Sequence, residues 1–414
     1  MMPRIDCWVK SNLQECEQID CFRRIVFSGY GFMRFAFIVS SLVFILQLHS
    51  SLPAQTDSQL SRIDDFVNRA IAAKKMPGAV VCIGNSQSIQ YKKAFGHLSL
   101  KPTKVSMETD TIFDLASLTK PIATATSLMI LVEEGKVRIR DRVSTYIPEF
   151  AQNGKRSVTI GQLLTHTSGL IPDNALSDYK SGRKVSFEKI NALKPLSEPG
   201  TKFSYSDVGF LVLGEVIKKV SGKDVDQFAK EKIFTPLNMS ETGFNPPVGL
   251  RERSAVTQQR NGSWIKGVVH DPRAFELDGV AGHAGLFSTA DDLTKYCQHL
   301  LQTLERKETR PARAILSPRG IELMTKGVEL PGENIRSLGW DKQSVYSSNR
   351  GELMTESAFG HGGFTGTAIW IDPELDLFVI FLSNRVHPDG KGSVNRLAGL
   401  IGTIAAGTAS RMNE

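Results

Sequence analysis

Cysteine is scarce in this chain of 414 residues, with five in all, and three of them (Cys7, Cys16, Cys21) stand near the N-terminus. The other two, Cys82 in the strand-like GAVVCIG and Cys297 in the helix-like DDLTKYCQHLL, occupy apolar positions of their elements. Two such thiols make neither a disulfide framework nor a zinc-ligand spacing, and they read as buried packing groups. A membrane-spanning run is also lacking, because the most apolar stretch, from Phe35 to Leu48, is shorter than the ~20 residues a spanning helix needs. Blocks of basic residues are missing too. The net charge of +7 is spread thinly over 50 Lys/Arg and 43 Asp/Glu, which gives no footprint for nucleic acid. No internal repeat and no low-complexity segment is found.

What the N-terminus does have is export grammar. Arg34, the apolar run and the small residue Ala54 follow the order of a signal peptide, with Met33 where such a signal would begin. Cleavage after Ala54 is expected, with residues 1–32 an upstream extension and the protein periplasmic or secreted. Membrane contact is then transient, during export. An uncleaved anchor is the alternative, and no cysteine stands at the cleavage site to carry a lipid.

The periodicity gives an α/β (α+β) organisation. SQLSRIDDFVNRAIAAKK has helical spacing, and AVVCIG and SIQYKKAFG follow as strands around a turn at Gly84, Asn85 and Ser86. Near the C-terminus GTAIWID and DLFVIFLSN flank the turn DPEL, and the small-residue helix GSVNRLAGLIGTIAAGT closes the chain. Helix plus hairpin at one end and hairpin plus helix at the other imply one antiparallel sheet flanked by both terminal helices. Residues 55–110 and 341–414 are assigned to that sheet region. Residues 111–340 form an inserted, mainly helical region, the whole being one catalytic domain after the extension and signal of residues 1–54. A cleft between two such regions is a common place for a site.

Three short stretches carry chemistry. In FDLASLTKPIAT, Ser117 and Lys120 are three positions apart, so on a helical or tight turn they share a side at about 5–6 Å between Cβ atoms. A helix N-terminus after Pro121 would stabilise developing negative charge on the serine, and that field with partial burial would lower the lysine pKa. A lysine so placed can take the serine proton. The bland alternative is a solvated lysine beside a capping serine. In KFSYSDVGFLVLGEV, Tyr205 precedes an apolar helix and could share the proton work, or could be an ordinary core tyrosine; Asp207 reads as a natural N-cap. In FGHGGFTGTAIWID, His361, Gly362 and Gly363 precede or open a strand, where glycines let backbone approach a ligand and the N–H of Phe364, with that of Ser117, could hold an oxyanion.

Taken in order, SLTK, then YSD about ninety residues on, then HGG resemble the three motifs of the serine β-lactamase and penicillin-binding protein superfamily. The likeness is to its class C-type branch of β-lactamases, D,D-peptidases and esterases. LLTHTSGL, EPGTKFSYSDVGF and GLFSTADDL support it, over roughly residues 57–408. The resemblance implies a β-lactamase/transpeptidase-like fold, Ser117 as the acylated nucleophile and Lys120 and Tyr205 as its proton-transfer partners, titrating as a unit. It also implies the N–H groups of Ser117 and Phe364 as the oxyanion hole and no cofactor or metal. Asp207, His361, Gly362, Gly363 and His283 are expected to meet substrate. Two positions depart from the pattern: Asp207 replaces a common Asn, and His361 replaces a Lys that would hold a substrate carboxylate. Both point away from efficient β-lactamase work and towards a peptidase, amidase or esterase acting on peptidoglycan fragments.

His270, Asp271 and His283 in VVHDPRAFELDGVAGHAGLFS are ligand-type residues without tight metal spacing, and they are expected to shape the cleft. They also resemble a subset of the family associated with muropeptide turnover. His166 in LTHTSG reads as a structural, hydrogen-bonded histidine. The rival to an enzyme is a penicillin- or peptidoglycan-binding module that is acylated once without turnover.

Overall fold

A strand with no polar side chain cannot leave either face in water, and GAVVCIG is fully buried along its length. It lies inside a nine-stranded sheet. The structure, a computed structural model, describes residues 59–305 and 314–412. The sheet strands in chain order are β1 (Gly78–Gly84), β2 (Ile89–Ser99), β3 (Val105–Ser106), β4 (Val328–Leu330), β5 (Asn334–Arg336), β6 (Asp341–Gln343), β7 (Phe359–Gly363), β8 (Thr367–Asp372) and β9 (Leu377–Ser383). Their spatial order is β3-β2-β1-β9-β8-β7-β6-β5-β4, with every pairing antiparallel. The first long strand therefore pairs with the last one, Cys82 opposite Ile380.

Alternation along these strands sorts two cores. Ala79, Val81 and Ile83 of β1 and Val379 and Phe381 of β9 pack with Ile63 and Val67 of helix α1 (Arg62–Ala72). Ala398, Ile401 and Ala405 of the last helix join the same layer. Val80 and Cys82, with Ile380 and Leu382, face the other way into the core of the helical region. Each fully buried Val, Leu, Ile or Phe among them contributes roughly 1.5–3 kcal/mol by burial. Both terminal helices thus cover one face, as the sequence implied. Cys82 and Cys297 are free and buried, and burial pushes the Cys82 thiol up to about 11.

The helical region is built round α2 (Thr126–Glu133), α3 (Asp207–Ser221) and α4 (Ala290–Glu305), with α5 (Asn395–Met412) closing the chain on the other face. Two small sheets lie there as well. The main sheet resumes at Val328, ahead of the expected boundary at 341, because the short polar strands β4 and β5 add to its edge. The cap of α3 lies one residue before the expected one. Ser206, extended at φ −136°, accepts the Gly209 N–H at 3.1 Å on its Oγ, so Ser206 is the N-cap and Asp207 the first helical residue. Two cap-forming residues stand side by side, and the one that caps leaves the Asp207 carboxylate free for another partner. No described helix is long and apolar enough to cross a membrane, and the expected leader and extension lie outside the described residues.

Candidate active site

Ser117 sits on a single 3₁₀ turn, Ala116–Leu118, and the residue before it is strained: Ala116 has φ +47°. A left-handed alanine persists only where neighbours hold it. The buried Asp114 carboxylate accepts the Ala116 N–H at 2.8 Å and the His270 N–H at 2.6 Å. Burial pushes that carboxyl up to about 6. Thr119 Oγ1 donates to the Ala116 carbonyl and accepts the Leu286 N–H. From the sheet side, Thr365 Oγ1 donates to the Asp114 carbonyl at 2.7 Å and Thr367 Oγ1 to the Leu115 carbonyl at 3.0 Å. The turn is clamped on both flanks.

Lys120 is completely buried. Its Nζ lies 3.0 Å from Ser117 Oγ, 2.6 Å from Asp207 Oδ1 and 3.1 Å from the His283 carbonyl oxygen, three partners for an ammonium's three protons. The chain leaves it through a wide π-helical turn, Lys120–Ala125, rather than an α-helix starting at Pro121. The expected lowering of its pKa is reversed. Burial alone would depress the ammonium, but the Asp207 carboxylate and Tyr205 outweigh it and hold the group above its ordinary value.

Tyr205 stands within hydrogen-bonding reach of both Lys120 and Ser117, and Lys120 Nζ lies 4.9 Å from its ring centroid. Burial raises its hydroxyl pKa against the lowering effect of Lys120. His166 stacks on the tyrosine at 4.3 Å and accepts the Ser206 N–H on Nδ1 at 3.0 Å. It is the structural histidine the sequence suggested, and what it supports is the Tyr205 loop.

His361, Gly362 and Gly363 lie on β7, a strand of its own paired with β8, His361 opposite Ile369. A Cβ on Gly363 would fall 2.5 Å from the Leu115 carbonyl, so only glycine lets β7 lie against the Ser117 turn. Between them opens a cleft of about 250 Å³ lined by Ser117, Tyr205, Arg336, His361, Gly362, Gly363 and Phe364, among others. A larger hollow of about 720 Å³ beside Lys326 and Lys342 contains none of these groups.

A buried amine touching a hydroxyl at the mouth of a cleft can activate that hydroxyl as a nucleophile. Comparison with known proteins places the chain in a family. The sequence profile described as Beta-lactamase matches residues 63–403. The chain belongs to the Beta-lactamase family. An N-acetylmuramyl-L-alanine amidase of Bacillus subtilis (strain 168) is 32% identical over 368 residues, 80% of this chain and 81% of that one. A protein of Escherichia coli (strain K12), provisionally named a D-alanyl-D-alanine carboxypeptidase, is 30% identical over 366 residues, 80% and 83% of the two chains. Among solved structures, EstCE1, a hydrolase with promiscuous acyltransferase activity, superposes with a TM-score of 0.69 at 22% identity, covering 85% of this chain and all of that one. The Beta-lactamase family assignment makes the protein a serine hydrolase with the family's fold.

Other expected site residues of this Beta-lactamase family member lie elsewhere. The His283 side chain is 1% exposed and held inward by Asp271 at 3.0 Å, and its carbonyl oxygen is what meets Lys120. Asp207 serves Lys120 rather than the cleft wall. His270 turns away from Asp271 and His283: its Nε2 meets Gln258 Oε1 at 2.6 Å and its ring stacks on Phe364. Asp207, Asp271 and His283 do offer ligand-type atoms within 4.8 Å of one another, but the cation beside them is the Lys120 ammonium. Arg336, fully buried in the cleft wall, went unnoticed in the sequence because a lone arginine in ENIRSLGW resembles a solvated one.

Proposed function

We propose that Ser117 is the acylated nucleophile of an exported hydrolase that cleaves amide or ester bonds in peptidoglycan fragments, muramyl-peptide amides foremost. The observation that carries the reading is Lys120 Nζ, fully buried yet 3.0 Å from Ser117 Oγ. Lys120 and Tyr205 act as one proton-holding unit. The form short of one proton takes the Ser117 hydroxyl proton as Oγ attacks the carbonyl carbon, then returns a proton to the departing amine or alcohol. The N–H groups of Ser117 and Phe364 receive the oxyanion. Water then cleaves the ester, releasing the acid and restoring the hydroxyl. Because burial raises Tyr205 and Asp207 raises Lys120, this unit loses its proton only towards alkaline pH.

Support for the substrate comes from the 32%-identical amidase, and support for export from the signal-like residues 34–54. The test is incubation with a defined muropeptide mixture and mass analysis of the products. Release of peptide from the muramyl group, or of a terminal residue from the peptide, with many turnovers per enzyme, is expected. A single stoichiometric acylation without turnover would instead make the protein a binding module.

A further inference from the structure

The two N–H groups assigned to the oxyanion come from distant parts of the chain, and one buried carboxylate reaches both. Asp114 ends the short strand Phe113–Asp114, which pairs with Leu286–Ser288. It is 3% exposed, and burial pushes its carboxyl up to about 6, so its charge is held there at a cost. All three of its oxygens accept a hydrogen bond. Oδ1 takes the Ala116 N–H at 2.8 Å, Oδ2 the His270 N–H at 2.6 Å, and the carbonyl the Thr365 hydroxyl at 2.7 Å. Ala116 comes just before Ser117, and Thr365 just after Phe364. An amide could not make the same set, because its NH2 would face one of the two N–H groups.

On the Ser117 side the link is direct. Ala116 holds φ +47°, a strained value that persists only where neighbours fix it, and Asp114 fixes its N–H. The Phe364 side runs through a ring. His270 stacks on Phe364 at 5.7 Å between centroids, 23° from parallel, and its Nε2 is anchored by Gln258 Oε1 at 2.6 Å. The Arg385 guanidinium carbon stands 4.6 Å from the Phe364 ring. Phe364 is 61% exposed, so burial does not hold this ring; His270, Arg385 and the Thr365 tether do. The His270 N–H that Asp114 accepts therefore locates the ring against which Phe364 rests.

We propose that Asp114 is a positioning residue of the oxyanion hole: its carboxylate fixes the Ser117 N–H through Ala116 and the Phe364 N–H through the His270 ring. One group thereby sets the spacing of both donors. The inference rests on the serine-hydrolase reading and goes beyond it by naming what holds the donors in register. Such donors meet charge that develops only in the transition state, so a displacement of about 1 Å lowers kcat and leaves KM nearly unchanged.

The test follows p-nitrophenyl acetate hydrolysis and the rate of fluorophosphonate attachment to Ser117 in the full-length protein. Asp114→Asn is expected to lower kcat and the labelling rate on the order of 100-fold, the scale of a lost oxyanion donor, with KM close to the wild-type value. A carboxylate with a merely structural role would lower the melting temperature and leave kcat of the folded protein unchanged. His270→Ala keeps the backbone N–H on Asp114 and removes the ring, so a smaller loss in kcat, again without a change in KM, is expected. Because both changes act through one link, the double variant should lose no more than Asp114→Asn alone. A wild-type kcat in folded Asp114→Asn, a change confined to KM, or losses that multiply in the double variant overturn the proposal. If Asp114→Asn does not fold, kcat and KM of His270→Ala decide, and a wild-type kcat there overturns it. Absence of labelling in the wild-type protein would instead strike the serine reading beneath it.

Discussion

A buried ammonium needs a counter-charge, and Asp207 supplies it 2.6 Å from Lys120 Nζ. That pairing holds the lysine pKa above its ordinary value, so its stabilising effect is complete below about pH 10.4 and is lost only as pH rises through the folded value. Asp207→Asn keeps the shape and removes the charge. The alkaline-going rise of kcat/KM is then expected to move to lower pH, and the protein to be less stable at neutral pH. A pH–rate profile of the variant checks this; a limb that stays put or moves up would break the link between Asp207 and the proton-holding unit. At this scale the sequence was readable where spacing is local. Ser117 and Lys120 are one turn apart, and Tyr205 stands in a recognisable triplet. Asp207 was read as a cap because its partner is 87 residues away and Ser206 hides the cap beside it. Arg336 has no local signal, since its neighbours become neighbours only through the sheet.

Two elements set the distance between nucleophile and strand edge: the turn around Ser117 and β7. Thr365 and Thr367 tie the Asp114 and Leu115 carbonyls to the sheet, and Gly363 leaves the gap they need. A methyl at 363 would meet Leu115 O at 2.5 Å and Thr367 Oγ1 at 2.2 Å, both in fixed structure. Gly363→Ala is therefore expected to lower kcat/KM by on the order of 100-fold, the scale of a lost oxyanion donor, with a lower melting temperature. Ester hydrolysis and a thermal scan measure both, and wild-type kinetics in this variant would show that β7 does not frame the oxyanion. Helices such as α4 were legible end to end, because ADDLTKYCQHLLQTLE repeats its apolar face. β7 was not legible as a separate strand. FGHGG holds three glycines and no apolar alternation, and its pairing to β8 is made by backbone groups that carry no side-chain signature.

Among the described residues an early strand and a late one meet in one sheet, β1 against β9, as the matching hairpins imply. The early return of the sheet at Val328 is not implied by the sequence, since VEL and NIR are too short and polar to declare themselves. Buried neutral histidines give this assembly a pH signature. His299 accepts the Ile315 N–H on Nε2 at 3.3 Å, and burial lowers its pKa to about 4; burial likewise lowers His270 to about 4. Below pH 6.5 the unfolded chain takes up protons that these native histidines refuse, so stability falls as pH drops from about 6.5 towards 4. For one histidine the loss approaches about 2 kcal/mol at pH 5. His299→Gln, which keeps an acceptor, should show a shallower fall between pH 7.5 and 5.0 in urea unfolding. An identical slope would assign the pH dependence to other groups.

The claim on which all of this depends is that Ser117 Oγ is the atom that attacks and becomes acylated. Treating the intact protein with a fluorophosphonate, digesting it and sequencing the modified peptide by mass spectrometry tests it most directly. One adduct is expected, on Ser117 in the FDLASLTK segment, and none in Ser117→Ala. An adduct on another residue, or labelling that persists in the alanine protein, would contradict it.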